Sequence, residues 1–412
     1  LVQTSLADFI RDTPEGREAD AILRKCVHCG FCNATCPTYQ LLGDELDGPR
    51  GRIYLIKQAL EGVPVTASTQ LHLDRCLTCR ACETTCPSGV EYGRLADIGR
   101  AVVADKVSRS AGSSFMRRAL GAVLPRPWLF RSLLALGRLF RPLLPAFLAK
   151  KVPLSAPAAG TWPASRHARR MLVLAGCVQP ALAPATNASA ARILDRLGIA
   201  LIEAPGAGCC GALRHHLDDQ QGGLADMRRL IDAWWPQVER GEIEAIVMTA
   251  SGCGAMVKEY GHLLAHDPDY RDKAAKISAM TRDLGEVLVA ESAALEVLLK
   301  KVGAAKQRIA YHSPCTLQHG QNLRGGIESL LRAAGFELTS VPDSHMCCGS
   351  AGTYSILQPE LSMQLQQNKL LALQSGSPAC ILTANIGCQS HLGSASAVPV
   401  YHWITALEDR LS

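Results

Sequence analysis

Aromatic residues are scarce in this chain, 5% of 412 residues, and the formal net charge is only +6. A surface that holds single-stranded nucleic acid needs stacking rings inside a strongly basic groove, so nucleic acid is not expected as a partner. No apolar run reaches the ~20 residues of a membrane-spanning helix. No G-x-G-x-x-G follows an apolar strand, so a dinucleotide site is not expected either. Leu1 to Ile10 lack the basic and apolar blocks of a secretory signal, which makes a reducing, cytoplasmic setting the expectation and structural disulfides unexpected. No activated nucleophile, and no base set over a substrate pocket, is legible, so no catalytic residue is assigned.

Cysteine is what the chain has in excess. Its 17 cysteines far exceed what a reduced protein keeps without metal. Eight fall into two copies of one pattern, C-x2-C-x2-C-x3-C-P: Cys26, Cys29, Cys32, Cys36-Pro37 and Cys76, Cys79, Cys82, Cys86-Pro87. A cysteine at every third residue of a tight loop points three sulfurs into one hollow, and the fourth ligates the other cluster. The spacing therefore predicts two [4Fe-4S] clusters. One takes Cys26, Cys29, Cys32 and Cys86; the other takes Cys76, Cys79, Cys82 and Cys36. Structural zinc also uses C-x2-C pairs, but it needs only four thiolates, and this doubled pattern goes beyond that. Pro37 and Pro87 are expected to turn the chain away after the exchanged ligand.

The neighbours of these motifs suit an anionic guest. Arg24, Lys25, Arg75 and Arg80 stand beside ligands, where cations would offset its charge. Asp47 to Arg52 reads as a turn, followed by a helical stretch through Leu60 whose Ile53, Leu55, Ile56 and Leu60 are expected to cover the clusters.

A second duplication occupies the rest of the chain. Apolar strands lead into Cys177 and Cys315, and at equal distances beyond them come Cys209-Cys210-Gly211 and Cys347-Cys348-Gly349. Further strands, from Ala245 and from Ala379, run toward Cys253 and Cys388. Helical patterns follow at 188–197 and 327–334, and at 223–238 and 361–373. Strand and helix alternating in this way predict a small parallel sheet in each half. Loops beyond the strand C-termini converge in such sheets, so Cys177, Cys209, Cys210 and Cys253 are expected to meet in one half, and Cys315, Cys347, Cys348 and Cys388 in the other. Each quartet suffices for one further iron-sulfur cluster or one zinc. Cys380 is left over, inside a strand, as a core residue. His312 and His345 lie near site cysteines, where they could tune or complete a site.

Between the duplications, 115–151 is basic, apolar and broken by prolines. Trp128, Leu133, Leu134, Leu136 and Phe140 are free to face a partner subunit, a membrane surface or the protein itself, with Arg131, Arg138 and Arg141 near one face. Residues 152–170 read as a linker. The expected organisation is α/β: a helical two-cluster ferredoxin-type domain at 1–110, the connector and linker at 111–168, and duplicated Cys-Cys-Gly domains with small parallel sheets at 169–300 and 301–412.

These motifs together resemble the iron-sulfur subunits of bacterial glycolate oxidase. The likeness is carried by Cys26-Val27-His28-Cys29-Gly30-Phe31-Cys32, by the run from Gly43 to Arg52, and by Cys347-Cys348-Gly349-Ser350-Ala351-Gly352-Thr353-Tyr354. The resemblance implies a subunit, peripheral at the cytoplasmic face of the inner membrane, that draws electrons from a separate FAD-binding subunit oxidising glycolate to glyoxylate and passes them to a respiratory acceptor such as quinone. Lactate-utilisation proteins, the anaerobic glycerol-3-phosphate dehydrogenase subunit and the Cys-Cys-Gly proteins of heterodisulfide reductases are similar at greater distance. In heterodisulfide reductases each repeat ends in C-x2-C, which supports a noncubane cluster on five cysteines. Here Ala250 and Asn385 hold the earlier positions, so the resemblance implies four ligands per repeat. The alternative within the redox class is the iron-sulfur subunit of a lactate or glycerol-3-phosphate dehydrogenase, or a thiol-disulfide reductase like the heterodisulfide reductases; a zinc-stabilised interaction scaffold is the reading from a different class.

Overall fold

The computed structural model describes residues 3–143, 152–153, 156–300 and 306–411. The connector's segment 144–151 falls outside them.

The first hundred residues are helical. Thr13 caps the helix Pro14–Lys25 by accepting from the Gly16 N–H, and Pro14 opens it at a position where no amide is needed. Pro49 does the same for Pro49–Leu60, so Pro49 to Arg52, expected as part of a turn, already lie in the helix. Pro37 likewise starts a helix, Pro37–Leu42, where a turn away was expected. Ile53, Ile56 and Leu60 are buried as anticipated, while Leu55 is half-buried. They pack with Ile22 and Leu23 of Pro14–Lys25, and with Leu95 and Val103 of Tyr92–Lys106. The close crossing depends on Gly99: a Cβ there would stand 2.5 Å from Ile56 Cγ1.

Among the described residues, eight strands form two sheets of identical topology. The first runs in the order β2 (Ile199–Glu203), β1 (Arg169–Val173), β3 (Ala245–Met248), β4 (Thr281–Asp283), all parallel. The second runs β6 (Phe336–Leu338), β5 (Gln307–His312), β7 (Cys380–Thr383), β8 (Val400–His402), also all parallel. The anticipated helices are present as Ala185–Arg196, Gln220–Glu239, Gly326–Ala333 and Pro359–Gln374. The fold is thus the expected mixture of a helical front and two duplicated parallel α/β units.

The flanking strands of each sheet, β2, β4, β6 and β8, are not among the elements expected from the sequence. β4, β6 and β8 are only three residues long, too short to show a period. The central strands also stop sooner than expected: β1 and β5 end before Cys177 and Cys315, and Cys253 and Cys388 sit in the first turns of Ser251–Lys258 and Ile386–Gly393 rather than at strand ends. The two units share one hydrophobic core, in which Val173 and Val247 join Ile309 and Leu382. Across their junction His402 Nε2 donates to the Thr249 carbonyl at 2.8 Å.

The connector forms two helices, Ala111–Val123 and Pro127–Leu139. Trp128, Leu133, Leu136 and Phe140 are exposed, as is Leu139, but Leu134 is buried against the protein. Arg138 and Arg141 donate to the carbonyls of Pro153 and Val152. The linker is tethered too, Trp162 Nε1 donating to the Leu201 carbonyl at 3.2 Å.

Substituting Gly99→Ala should overpack the Ile56 contact and destabilise the helical front by about 1–3 kcal/mol. Thermal unfolding, followed together with the visible absorbance of the holoprotein, should show a lower midpoint and faster bleaching.

Candidate iron-sulfur centres

The two ferredoxin-type loops are superposable in their backbone signs. His28 and Thr78 adopt φ of 53° and 50°, and Gly30 and Arg80 adopt 84° and 59°. Left-handed residues at these steps wind each loop around its own sulfurs, with amides turned inward, as in an anion-binding nest. The Thr78 N–H lies 3.4 Å from Cys76 Sγ. A non-glycine residue pays for such a conformation; Arg80 is held there by Glu259, at 2.8 Å.

The structure brings Cys26, Cys29, Cys32 and Cys86 onto one small cavity, lined also by Cys82 of the second run and by Ile53, Val90 and Tyr92. Burial, and then the proximity of Cys26, Cys86 and Cys29, pushes the Cys32 thiol up to about 11. Cys36 lies instead with the second run. Burial pushes the thiols of Cys79 and Cys82 well above the usual range, and Cys36 and Cys76 are among the neighbours that add to it. Thiols gathered so closely cannot ionise together unless a cation joins them, which is the chemistry of a metal-cluster donor set.

The electrostatic surroundings differ from the sequence expectation. Arg24, Lys25, Arg75 and Arg80 are each paired with a carboxylate, of Asp20, Glu91, Asp47 and Glu259. Arg52 and Arg100, which nothing in the sequence pattern singles out, take the place beside the sulfurs. Arg52, 1% exposed, donates to the His72 carbonyl and Thr38 Oγ1 at 2.7 and 3.1 Å, and its Nη1 stands 4.0 Å from Cys36 Sγ. Arg100 donates to the Leu73 and Cys76 carbonyls. Burial pushes the Cys76 thiol up, but these two guanidiniums outweigh it and hold Cys76 below the ordinary thiol value. The sequence reads Arg52 as the end of a turn; its place in the helix Pro49–Leu60 and its inward direction come from the packed structure alone.

In the first Cys-Cys-Gly unit, Cys177, Cys209, Cys210 and Cys253 form a continuous chain of neighbouring thiols. In the second, Cys315 Sγ and Cys347 Sγ are 3.8 Å apart, and Cys348 adjoins Cys347 and Cys388. The glycine after each pair has a steric cause. Gly211 and Gly349 adopt φ of 81° and 86°, and a Cβ on either would come 2.6 Å from a helix carbonyl, that of Gly223 or Ser362. The left-handed step turns both cysteines toward one side while the following helix lies directly on the backbone. Cys253 and Cys388 stand in the first turns of Ser251–Lys258 and Ile386–Gly393.

Both quartets, together with Cys79, line one cavity of about 1730 Å³. Leu77, Cys79, Cys315 and Cys347 pack in one apolar cluster, so the second ferredoxin-type loop abuts the second quartet directly. His312 lies with Cys348 and Cys388, and burial pushes it down to about 3. His345 is not in that group; its carbonyl accepts from His319 Nε2 at 3.0 Å. Cys380 is buried in β7, away from both quartets.

A helical front with two such loops, joined to two cysteine-rich α/β units, defines an iron-sulfur protein of the dicluster-ferredoxin and cysteine-rich class. The 4Fe-4S dicluster domain matches residues 22–90, and the cysteine-rich domain matches twice, at 171–258 and 309–393. The chain is 56% identical over 410 residues to the glycolate oxidase iron-sulfur subunit of Escherichia coli K12, covering 100% of this chain and 99% of that one. It is 30% identical to a probable glycolate oxidase iron-sulfur subunit of Bacillus subtilis, over 89% of this chain and 87% of the other. Lactate utilization protein A of Bacillus velezensis is 30% identical, over 49% of this chain and 81% of its own length. The chain belongs to the glycolate oxidase iron-sulfur subunit family.

Gly349→Ala should destabilise the holoprotein by about 2–4 kcal/mol, combining left-handed strain with the backbone clash. Gly325→Ala, at φ 78° with nothing within 4 Å, carries the strain alone and should cost about 1–2 kcal/mol. Comparing the two unfolding midpoints separates the terms.

Proposed function

We propose that this chain is the electron-transfer subunit of a glycolate-oxidising complex. A separate FAD-binding subunit would convert glycolate to glyoxylate, releasing two electrons and two protons, and a respiratory acceptor, quinone, would receive the electrons. The observation that carries the reading is the full-length likeness to the Escherichia coli subunit, with all sixteen motif cysteines drawn into local groups. The likeness to lactate utilization protein A spans half the chain, which favours glycolate over lactate as the complex's substrate.

Bound clusters would supply one-electron relay chemistry. Cys26, Cys29, Cys32 and Cys86 would hold one [4Fe-4S] cluster, and Cys76, Cys79, Cys82 and Cys36 the other. Cys177, Cys209, Cys210 and Cys253 would hold a further centre, as would Cys315, Cys347, Cys348 and Cys388. The protein's own part is to exclude water with Ile53, Val90 and Leu77, and to lay the charges of Arg52 and Arg100 against Cys36 and Cys76. Division at residues 110, 168 and 300 separates the helical front, the connector and the two cysteine-rich units.

Anaerobic iron, sulfide and zinc analysis of the purified chain, with EPR of the reduced form, tests this first. About twelve to sixteen irons are expected; about eight would confine the clusters to the front, and zinc without iron would discard electron transfer. Cys36→Ser should damage the cluster of Cys76, Cys79 and Cys82 and spare the other. Loss confined to the Cys26 cluster would reverse the crossed assignment.

We also propose a peripheral place on the cytoplasmic face of the inner membrane, and the exposed apolar side of Pro127–Leu139 supports the membrane contact in that reading. Among the described residues no helix is long and apolar enough to cross a membrane, whereas Trp128, Leu133, Leu136 and Leu139 stand 69%, 44%, 51% and 73% exposed. Replacing Leu133, Leu136 and Leu139 with Ser should leave the iron content unchanged and move the complex from the membrane fraction to the supernatant; unchanged fractionation would remove this assignment.

A further inference from the structure

The two cysteine-rich units fold alike, yet the floors beneath their cysteines differ in kind. In the first unit Leu174, just past β1, and Met248, at the end of β3, are buried in the same apolar cluster as Cys210. Counting back from Cys315 and Cys388, the matching residues of the second unit are His312 and Thr383, register partners at the ends of β5 and β7. They are 2% and 0% exposed. Among the described residues, neither His312 Nε2 nor Thr383 Oγ1 has a hydrogen-bond partner. A ring nitrogen of His312 and the sulfurs of Cys348 and Cys388 all lie within 4.8 Å of one another.

A buried cation adds to the contrast. Lys369, 3% exposed, donates to the carbonyls of Asp343 and Ser344 at 2.8 and 3.3 Å. It lies within electrostatic reach of Cys348, Cys347 and Cys315, with the exposed Asp343 carboxylate also nearby. The corresponding turn of Gln220–Glu239 carries Leu230 and Ile231, both buried. The cation near the first quartet, Arg214, stands between Asp219 and Asp226 at 3.8 and 3.6 Å, where its charge is compensated.

Buried polar atoms without protein partners call for a partner that a bound group supplies, and here two of them sit at the floor of a cysteine quartet. We propose that His312 donates a ring N–H to a sulfur of the centre held by Cys315, Cys347, Cys348 and Cys388, and that with Thr383 and Lys369 it makes this centre the more easily reduced of the two. The inference rests on the reading that both quartets hold iron-sulfur centres. Hydrogen bonds and positive charge at the sulfurs favour the more negative, reduced form, and a floor of Leu174 and Met248 offers neither. The centre so favoured is the one whose Cys315 adjoins Cys79 of the ferredoxin-type front.

The test is an anaerobic, EPR-monitored redox titration of the full chain, with iron and zinc counted for every sample. Wild type is compared with His312→Leu, His312→Gln and Leu174→His, and the second centre's signal is identified by its loss in Cys388→Ser. His312→Leu should keep its iron and disfavour reduction of the second centre about tenfold, a fall of about 59 mV for one electron. The first centre should not move. His312→Gln, which keeps an N–H donor, should recover part of the shift. Leu174→His should raise the first centre, which keeps the proposal testable if the His312 variants do not fold. An unchanged potential in His312→Leu overturns the proposal, as does loss of iron in both His312 variants, which would make His312 a ligand. Zinc or no metal in the wild-type quartets is a different failure, that of the underlying iron-sulfur reading, and the metal count exposes it before any titration.

Discussion

In this molecule the thiols come together where the backbone beside them winds the wrong way for an L-residue. That constraint recurs at every cysteine cluster in this molecule. The front loops meet it with His28, Gly30, Thr78 and Arg80, and the rear units with Gly211 and Gly349, all at positive φ. The left-handed steps turn consecutive sulfurs to one side and leave amides facing them, and the helices that follow then pack on the bare backbone. Strain of this kind persists only where surrounding structure over-determines it, which is why the helical core around Ile56 and the two parallel sheets are built so tightly against the loops.

Burial of the thiols raises an electrostatic difficulty that the fold answers unevenly. Near Cys36 and Cys76 it places Arg52 and Arg100, whose other donors meet backbone carbonyls, Thr38 and, for Arg52, the Asp47 carboxylate. Asp47, itself fully buried, keeps Arg52, Arg75 and His72 in place. The same polar scaffolding joins the helical front to the rest of the chain. Arg109 and Arg117 each bridge Asp74 of the front to Asp218 beyond the first Cys-Cys-Gly loop. Thr84 meets His319 at 2.8 Å, and Tyr354 donates to the Arg75 carbonyl. These contacts hold the Cys79 loop against the second quartet, so the spacing of the cysteine groups is a property of the packed whole.

Much of this was readable in advance, for identifiable reasons. Cysteine spacing is a local chemical constraint, and it carried the expectation that Cys36 and Cys86 join the opposite runs, as well as the repetition of the Cys-Cys-Gly segments. The helices at 220–239 and 359–374 are long enough to be read from the sequence. β4, β6 and β8 are not, since three residues of parallel edge strand show neither alternation nor a continuous apolar run. Leu134 could not be told from Leu133 as an exposed residue, because amphipathicity does not say which side of a helix meets protein when both sides carry leucine.

The sequence by itself determined which cysteines gather, because their number and the loop lengths between them are written in the order of residues. Tertiary structure alone decided what surrounds them. Arg52 and Arg24 look alike in a string of letters, but one lies buried near Cys36 Sγ and the other pairs with Asp20 at the surface. Leu174 and His312 occupy the same place in two copies of one fold, and only the packing of strands and helices shows that both lie under cysteines. Charge and hydrogen bonding act through space, over distances that the chain order does not encode.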